Sequence, residues 1–122
     1  MRAIDIGAWG EDMAAEYLVK KGYSIRSRNF RCREGELDIV ANYKGCMVFV
    51  EVKTRRSTAF GRPAEFIDYR KQRKLMKAAM RYAYSPDIDM RFDVIEVLYS
   101  DTPEGFAVNE INHIENAFFD MR

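Results

Sequence analysis

The pattern of apolar and polar residues along the chain predicts two long helices, five strands and a short terminal helix. Residues from about 4 to 21 repeat apolar side chains at helical spacing, and Gly22 stands where such a helix ends. The same periodicity predicts a second helix over about 68–84 and a short one near 113–118. Alternating stretches bounded by turn residues predict strands over 23–30, 35–41, 46–54, 91–99 and 105–111.

The order of these elements predicts the fold class. The sequence α-β-β-β-α-β-β is typical of an α/β domain with a mixed central sheet flanked by helices. The first strand carries arginines on one face, which favours a place near the edge of the sheet. The 122 residues contain no repeat and no linker, so we expect a single domain over 1–122.

The stretch 46–54 has two chemically different faces. Side chains in a strand alternate sides, so Glu51 and Lys53 point the same way, about 7 Å apart along the strand. The opposite face is apolar and belongs to the core. It carries Val48, Val50 and Val52.

A hairpin places a second acid beside Glu51. The segment "NYKG" separates two alternating runs, and a two-residue turn at 44–45 brings Asp38 opposite Glu51 and Glu36 opposite Lys53. A register slipped by one residue mixes polar with core positions, so the apolar pattern favours the first register. The strand over 35–41 also has a predicted core face, on the side opposite Asp38. It consists of Leu37, Ile39 and Ala41.

Two carboxylates that face each other across strands repel, and a bound cation relieves that repulsion. Hard oxygen ligands on two strands suit Mg²⁺, which also accepts waters and phosphate oxygens. Glu11 falls on the apolar stripe of the first helix that faces the sheet. It is predicted either to stabilise the helix dipole or to reach the same site.

Charge is unevenly distributed along the chain. The net charge is only +1, but residues 53–81 contain ten basic and two acidic residues. The segment after residue 100 is acidic. A local basic surface attracts phosphates whatever the total charge, so the middle of the chain is the candidate nucleic-acid interface.

Several features indicate a cytoplasmic protein without membrane contact. No apolar run approaches the roughly 20 residues that span a bilayer. The first residues include acids and lack the continuous apolar core of a signal peptide. Cys32 and Cys46 fit no metal or redox spacing, so we interpret them as reduced thiols.

These motifs carry a resemblance to a known superfamily. Asp38 followed by the 51–53 triplet EVK, with Glu11 on a preceding helix, is similar to the D…ExK core of restriction-endonuclease-like, or PD-(D/E)xK, nucleases. The blocks "GAWGEDMAAEYLVKKGYSI", "RNFRCREGELDIV", "VFVEVKTR", "FGRPAE" and "RFDVIEV" together resemble the YraN-like family of small bacterial proteins, itself similar to archaeal Holliday-junction resolvases. The resemblance spans about residues 6–97. It departs from the superfamily where Leu37 replaces a frequent proline.

The resemblance implies a restriction-endonuclease-like fold and a metal-dependent nuclease acting on DNA, including branched or repair structures. Asp38, Glu51 and the backbone carbonyl of Val52 are then expected to hold Mg²⁺, with Mn²⁺ as a substitute, and Glu11 to hold a second metal or its water. Lys53 is expected to orient the attacking water or to stabilise the charge that develops on the phosphate.

The resemblance also implies a surface that grips the nucleic-acid backbone. Four of the basic residues recur on one face of the second helix, and Lys71 lies closer to its inward stripe, where it can approach the scissile phosphate. The predicted nucleic-acid contacts are Arg55, Arg56, Arg70, Lys71, Lys74, Lys77 and Arg81.

Plainer interpretations stay open beside these. Glu51 and Lys53 also fit the solvated face of a two-layer sheet, and the basic helix fits an ordinary solvated face. Glu36 suits a structural partner of Lys53, and His113 an incidental surface or cap residue. Asp93 alternates with Arg91, which suits a structural pair. A non-cleaving nucleic-acid-binding module of the same fold is the alternative function, and a homodimer is an expected assembly because junction cleavage needs two cuts.

Overall fold

The computed structural model describes residues 5–58, 67–83, 85 and 87–117. Two helices and five strands lie within these ranges. In chain order they are α1 (Ile6–Lys20), β1 (Ser24–Cys32), β2 (Gly35–Tyr43), β3 (Cys46–Arg56), α2 (Tyr69–Tyr82), β4 (Asp89–Thr102) and β5 (Gly105–Ile114). This order confirms the predicted α-β-β-β-α-β-β arrangement.

The five strands form one mixed sheet in the order β1-β2-β3-β4-β5. The β3–β4 pair is parallel and the other three pairs are antiparallel. A parallel pair needs a crossover, and α2 supplies it between β3 and β4. The first strand lies at an edge, as its arginine-rich face predicted.

The hairpin between β2 and β3 has the predicted register. Tyr43 pairs with Cys46, and the turn residues Lys44 and Gly45 both have positive φ, 50° and 81°. Such a turn matches the twist of the two strands, so it fixes which residues face each other. This register puts Asp38 and Glu51 at neighbouring positions on the two strands.

Helix ends follow the local sequence. Asp5 caps α1 by accepting a hydrogen bond from the Ala8 amide, and Asp68 caps α2 by accepting one from the Lys71 amide. Gly22 follows α1 with φ 97°, the left-handed conformation that the sequence predicted there. The predicted helix boundaries at Ile4 and Tyr84, and the "FGRPAE" block, lie outside the described residues.

Apolar side chains form two cores, one on each face of the sheet, so the molecule has three layers. The core under α1 contains Ala14, Leu18, Tyr23, Ile39, Ala41, Val48, Val50, Ile95 and Val97. The core under α2 contains Leu37, Val40, Phe49, Ile67, Leu75, Ala78, Ala79, Phe92 and Val94. Because α2 covers the face that carries Glu51, the two-layer interpretation of that face is wrong.

The prediction near the C-terminus is also wrong. Residues 105–114 form β5, which pairs along β4, and a turn follows instead of a helix through residue 117. Residue 118 of the predicted helix lies outside the described residues. Within the part of the chain that the structure describes, no helix is long and apolar enough to cross a membrane.

Candidate active site

The site lies where β2 and β3 separate. The ladder between them runs from Tyr43–Cys46 only to Ile39–Val50, and beyond it the strands are no longer paired. Asp38 occupies the first position past the last pair. Its Oδ2 accepts a hydrogen bond from the Val52 amide at 2.9 Å, so a side chain takes the place of the missing backbone acceptor.

Where the Asp38 side chain replaces the backbone acceptor, Leu37 also lies on a different side of the sheet from the one predicted. Leu37 was predicted to share a core face with Ile39 and Ala41, but it packs in the α2 core, whereas those two pack in the α1 core. Strict alternation fails at Asp38 because β2 leaves the β3 ladder there. The irregular strand opens room for the Asp38 side chain beside Glu51.

Glu51 is buried, with 7% of its surface exposed. Its Oε2 atom lies 3.2 Å from the Nζ of Lys71, which α2 brings over the sheet. Glu51 Oε2 has no hydrogen-bond partner among the described residues, although it is inaccessible to solvent. The attraction between these groups is therefore coulombic, and the oxygen stays unsatisfied.

The surroundings of Asp38 strongly perturb its ionisation. Burial raises the pKa of Asp38 first, and the neighbouring Glu51 carboxyl, within hydrogen-bonding reach, raises it further, to about 8. The Val52 amide opposes this rise. At neutral pH the site therefore favours a proton or another cation between the two acids.

A cavity of about 200 Å³ opens onto the carboxyl pair. Besides Asp38 and Glu51, its lining includes Glu36 and two basic residues of α2, Lys71 and Lys74. Lys53 does not line this cavity. It is exposed, and the described residues provide it with no ion pair. The ammonium groups nearest the carboxyls thus come from α2 rather than from β3.

Glu11 approaches the site from α1. That helix packs closely on β3, because Gly10 lies directly against Thr54 and has no side chain to hold them apart. Glu11 Oε1 is buried without a hydrogen bond, and Arg28 lies 3.7 Å away. Burial raises the pKa of Glu11, although Arg28 opposes the rise. The first turn of α1 contains no acid, so the structure does not favour the helix-dipole role.

The donor set at the carboxyl pair offers hard oxygens but few ligands for a divalent cation. Among the described residues, no three acidic, histidine or cysteine side chains lie close enough together to hold a metal ion. The pair Asp38–Glu51 nevertheless has the chemistry of a magnesium site, with crowded hard oxygens and an unsatisfied buried atom. The backbone groups of one strand residue point to the same side, so the Val52 carbonyl faces the same opening as its amide.

The predicted nucleic-acid contacts divide into paired and unpaired cations. Arg70, Lys74 and Lys77 have no acidic partner among the described residues, and with Arg73 they line one groove on α2. The other four predicted contacts form ion pairs, and their strength as phosphate ligands is correspondingly reduced. These pairs are Arg55 with Glu96, Arg56 with Asp101, Lys71 with Glu51, and Arg81 with Glu34.

One buried acid near the site has no counterpart in the sequence prediction. Glu96 is the β4 partner of Lys53 in the parallel ladder and is buried. Its two oxygens face Arg55 Nε at 2.6 Å and Asn112 Nδ2 at 3.1 Å. Glu36, predicted as the partner of Lys53, instead lies 3.5 Å from Arg31. Parallel pairing of β3 with β4 brings Arg55 to Glu96, and antiparallel pairing of β5 with β4 brings Asn112, so the local sequence pattern does not predict these contacts.

A second polar cluster lies on the α1 face. The predicted Asp93–Arg91 pair is present, with nitrogen–oxygen distances of 2.8 and 2.9 Å. His113, predicted as incidental, is instead buried with its Nε2 2.7 Å from Asp93 and its Nδ1 3.2 Å from the Tyr17 hydroxyl. Pairing of β5 along β4 carries His113 to this position, so its role depends on the last two residues of that strand, which were predicted to begin a helix.

Comparison with known proteins places the chain in a family. The family described as "Uncharacterised protein family UPF0102" matches residues 10–97. The chain belongs to this family. A UPF0102 protein of Caldanaerobacter subterraneus subsp. tengcongensis is 48% identical over 116 residues, and the match covers 93% of each chain.

Other UPF0102 relatives match over a similar length. One from Syntrophomonas wolfei is 50% identical over 119 residues, covering 93% of this chain and 97% of the relative. One from Clostridium botulinum is 45% identical over 118 residues, covering 93% and 94%. The resemblance to the YraN-like proteins is confirmed at the level of this family.

Proposed function

We propose that this UPF0102 protein is a metal-dependent nuclease that hydrolyses phosphodiester bonds in DNA. One observation carries the proposal: Asp38 and Glu51 crowd together where β2 and β3 separate, and the pKa of Asp38 rises to about 8. A fold retains such a costly arrangement when the pair has a cation to bind.

The arrangement of elements supports the same chemistry. The D…ExK spacing lies on β2 and β3 of an α/β sheet, as in restriction-endonuclease-like nucleases. We extend the family resemblance to that superfamily, and to branched or repair intermediates as substrates. This step rests on analogy of fold and motif, whereas the carboxyl pair rests on its own geometry.

The residues that would hold Mg²⁺ are Asp38, Glu51 and the carbonyl of Val52. When bound, the cation polarises a phosphate oxygen and lowers the pKa of a water molecule. The chain itself orients Asp38 through the Val52 amide, at 2.9 Å. Lys71 holds a positive charge 3.2 Å from Glu51, where it can attract a phosphate. Lys53, exposed and two residues beyond Glu51, does not line the cavity, so its role in orienting the attacking water stays a prediction from the resemblance.

Cleavage assays test this proposal. Labelled duplex, single-stranded and four-way-junction DNA would be incubated with Mg²⁺ or Mn²⁺ and the wild type, Asp38→Ala or Glu51→Gln. We expect both variants to lose cleavage by at least about a hundredfold, because each removes a metal ligand. Glu36→Gln is the matched control, since it lines the same cavity but is exposed and pairs with Arg31. Cleavage that survives Asp38→Ala would overturn the proposal.

A non-cleaving nucleic-acid-binding module is the second candidate. The ammonium of Lys71 beside Glu51 favours it, because an internal cation already neutralises part of the charge on the carboxyl pair. This candidate predicts salt-dependent DNA binding without turnover at any metal concentration. The cleavage assay separates the two, provided that binding is measured in the same samples.

We further propose that the protein acts as a homodimer in the cytoplasm. The described residues of one chain carry one such carboxyl pair, whereas resolving a four-way junction requires two symmetric cuts. Cys32 and Cys46 are both free thiols, which fits a reducing compartment. Sedimentation with and without junction DNA tests the assembly, and a strict monomer under both conditions would contradict it.

A further inference from the structure

The unpaired cations of α2 gather around an exposed aromatic ring. Arg70, Arg73, Lys74 and Lys77 line a groove of about 490 Å³, and Tyr69 completes its lining. None of these four cations has an acidic partner among the described residues. At these four residues a phosphate does not have to displace such an ion pair, whereas at the paired cations elsewhere on the surface it does.

Tyr69 is 55% exposed although it is the first residue of a helix that packs on the sheet. An aromatic ring buries a large apolar area when it finds a partner, so leaving one in water forgoes considerable stabilisation. A single exposed ring is unremarkable by itself. Here the ring lies in a groove with four unpaired cations, and this combination matches the stacking platforms and basic tracks of proteins that bind single strands.

The groove leads toward the carboxyl pair. Lys74 lines both the groove and the cavity that contains Asp38 and Glu51. A backbone that follows the basic side chains of α2 therefore reaches, at Lys74, the lining of the candidate active site. The two concavities are parts of one surface, joined at Lys74.

We propose that this groove binds an unpaired nucleotide, with its base stacked on Tyr69 and its phosphates contacting the surrounding lysines and arginines. The inference rests on the proposed function, in that α2 faces nucleic acid, and it deepens it by naming a substrate class. The preferred substrate then carries a single-stranded segment beside the bond to be cut, such as a flap, a gap or the open centre of a junction.

Stacking on Tyr69 distinguishes single strands from duplexes. In a duplex the faces of the bases lie against their neighbours, so only the phosphates can reach the groove. In a single strand each base presents an open face, and stacking adds to the phosphate contacts. Tyr69 should therefore contribute to single-strand affinity and not to duplex affinity, whereas Lys77 should contribute to both.

Binding in EDTA tests the inference separately from cleavage. Fluorescence anisotropy would follow a labelled oligo(dT), a duplex of the same length and an RNA oligomer, with wild type, Tyr69→Ala, Tyr69→Phe and Tyr69→Trp. We expect Tyr69→Ala to weaken single-strand binding about tenfold and to change duplex binding less than about twofold. Phe and Trp should retain most of the affinity, because they keep the stacking face.

A control variant and separate measurements of binding and cleavage distinguish the stacking inference from the nuclease proposal. Met80→Ala removes another exposed apolar side chain of α2, outside the groove, and should change neither affinity. Equal effects of Tyr69→Ala on single strand and duplex, no effect on either, or no binding by the wild type would each overturn the inference. If Asp38→Ala loses cleavage while Tyr69→Ala leaves both affinities unchanged, the nuclease proposal holds and only the stacking inference fails. The RNA arm shows whether the sugar contributes to recognition.

Discussion

Two buried acidic sites occupy opposite faces of the same sheet, and they differ in how their oxygen atoms are satisfied. On the α1 face, Asp93 is fully buried and receives donors on both oxygens. Arg91 donates at 2.8 and 2.9 Å, the Asn116 amide donates at 3.0 Å, and His113 Nε2 lies 2.7 Å away. Burial alone raises the pKa of Asp93, but these hydrogen bonds outweigh it and hold the pKa below the ordinary value.

On the α2 face, the carboxyl pair has one ion pair, between Glu51 and Lys71, but an incomplete set of hydrogen bonds. Asp38 receives one backbone hydrogen bond, from Val52, and Glu51 keeps an oxygen without a hydrogen-bond partner. Burial and the adjacent acid therefore raise the pKa of Asp38 to about 8. The chain supplies a full set of partners to one acid and an incomplete set to the other.

The difference separates a structural site from a binding site. The Asp93 carboxylate receives several donors from its own chain and gains less from an added cation, which favours a structural role for it. A crowded pair with an unsatisfied oxygen costs stability until a proton or a metal joins it. The same substitution, aspartate to asparagine, should therefore have opposite effects at the two sites.

The largest effect is expected for Asp93→Asn. The change preserves volume but removes the buried carboxylate that pairs with Arg91 and His113, and among the described residues leaves Arg91 only the more distant Glu115 at 3.6 Å, so the free energy of unfolding at pH 7 should fall by about 3–5 kcal/mol. Urea denaturation followed by circular dichroism measures this. Asp89→Asn, at an exposed position of the same strand, is the control and should change stability by less than about 0.5 kcal/mol. Equal free energies of unfolding for Asp93→Asn and Asp89→Asn would contradict a structural role for Asp93.

Asp38→Asn should act in the opposite direction. The unfolded chain releases the Asp38 proton near pH 4, whereas the folded protein retains it up to about pH 8. Metal-free stability therefore falls as the pH rises across this window, and asparagine abolishes that loss. At pH 8 the variant should be more stable by about 2–4 kcal/mol, or roughly 10 °C in Tm.

Thermal melts in EDTA at pH 4 and pH 8 measure this difference. At pH 4 the two proteins should have nearly the same Tm, because Asp38 is then protonated in the folded state and asparagine is neutral. A variant that is less stable than wild type at pH 8 would show that the pair is satisfied within the chain, as Asp93 is.

Glu11→Gln tests whether Glu11 contributes to cation binding at Asp38 and Glu51. The charge of Glu11 contributes to the raised pKa of Asp38, so removing it should weaken Mn²⁺ binding roughly fivefold, the effect of about 1 kcal/mol of lost attraction. Mn²⁺ titration by electron paramagnetic resonance measures the affinity. Glu16→Gln, exposed on the same helix, should leave it unchanged. Identical affinities for both variants would exclude Glu11 from the site.

The smallest effect is expected for Lys71→Gln. Lys71 is 47% exposed, so its pair with Glu51 should contribute less than about 1 kcal/mol to stability. Since its ammonium repels a second cation, the variant should bind Mn²⁺ about two- to threefold more tightly. The same titration measures this, with Lys77→Gln as the control on the far part of α2. Weaker binding would mean that Lys71 helps to organise the carboxyls instead.

The sequence predicted the fold well because local rules determine most of it. Alternation located all five strands, and the turn at 44–45 fixed the register that brings Asp38 to Glu51. Residues 113–117 were assigned to a helix because edge pairing with β4 is a long-range effect that a short apolar run does not reveal. Leu37 was assigned to the wrong core because a side chain replaces a backbone acceptor beside it.

Only the site residues that lie on the β2–β3 pair were predictable from the sequence. Asp38 and Glu51 are neighbours through the hairpin, so its register was sufficient to bring them together, whereas the role of the Val52 carbonyl came from the family resemblance. Lys71 reaches Glu51 because α2 packs across the sheet, and His113 reaches Asp93 because β5 pairs with β4. Such contacts depend on how elements pack, and the periodicity of each element taken alone does not contain them.

The central claim is that Asp38 and Glu51 form a cation site rather than a structural pair. Calorimetric titration of Mn²⁺ at pH 7, in two buffers of different ionisation enthalpy, tests it most directly. We predict binding that releases about one proton, because the metal displaces the proton that Asp38 holds below pH 8, and no binding to Asp38→Asn. Absence of binding to the wild type, or unchanged binding to Asp38→Asn, would contradict the claim.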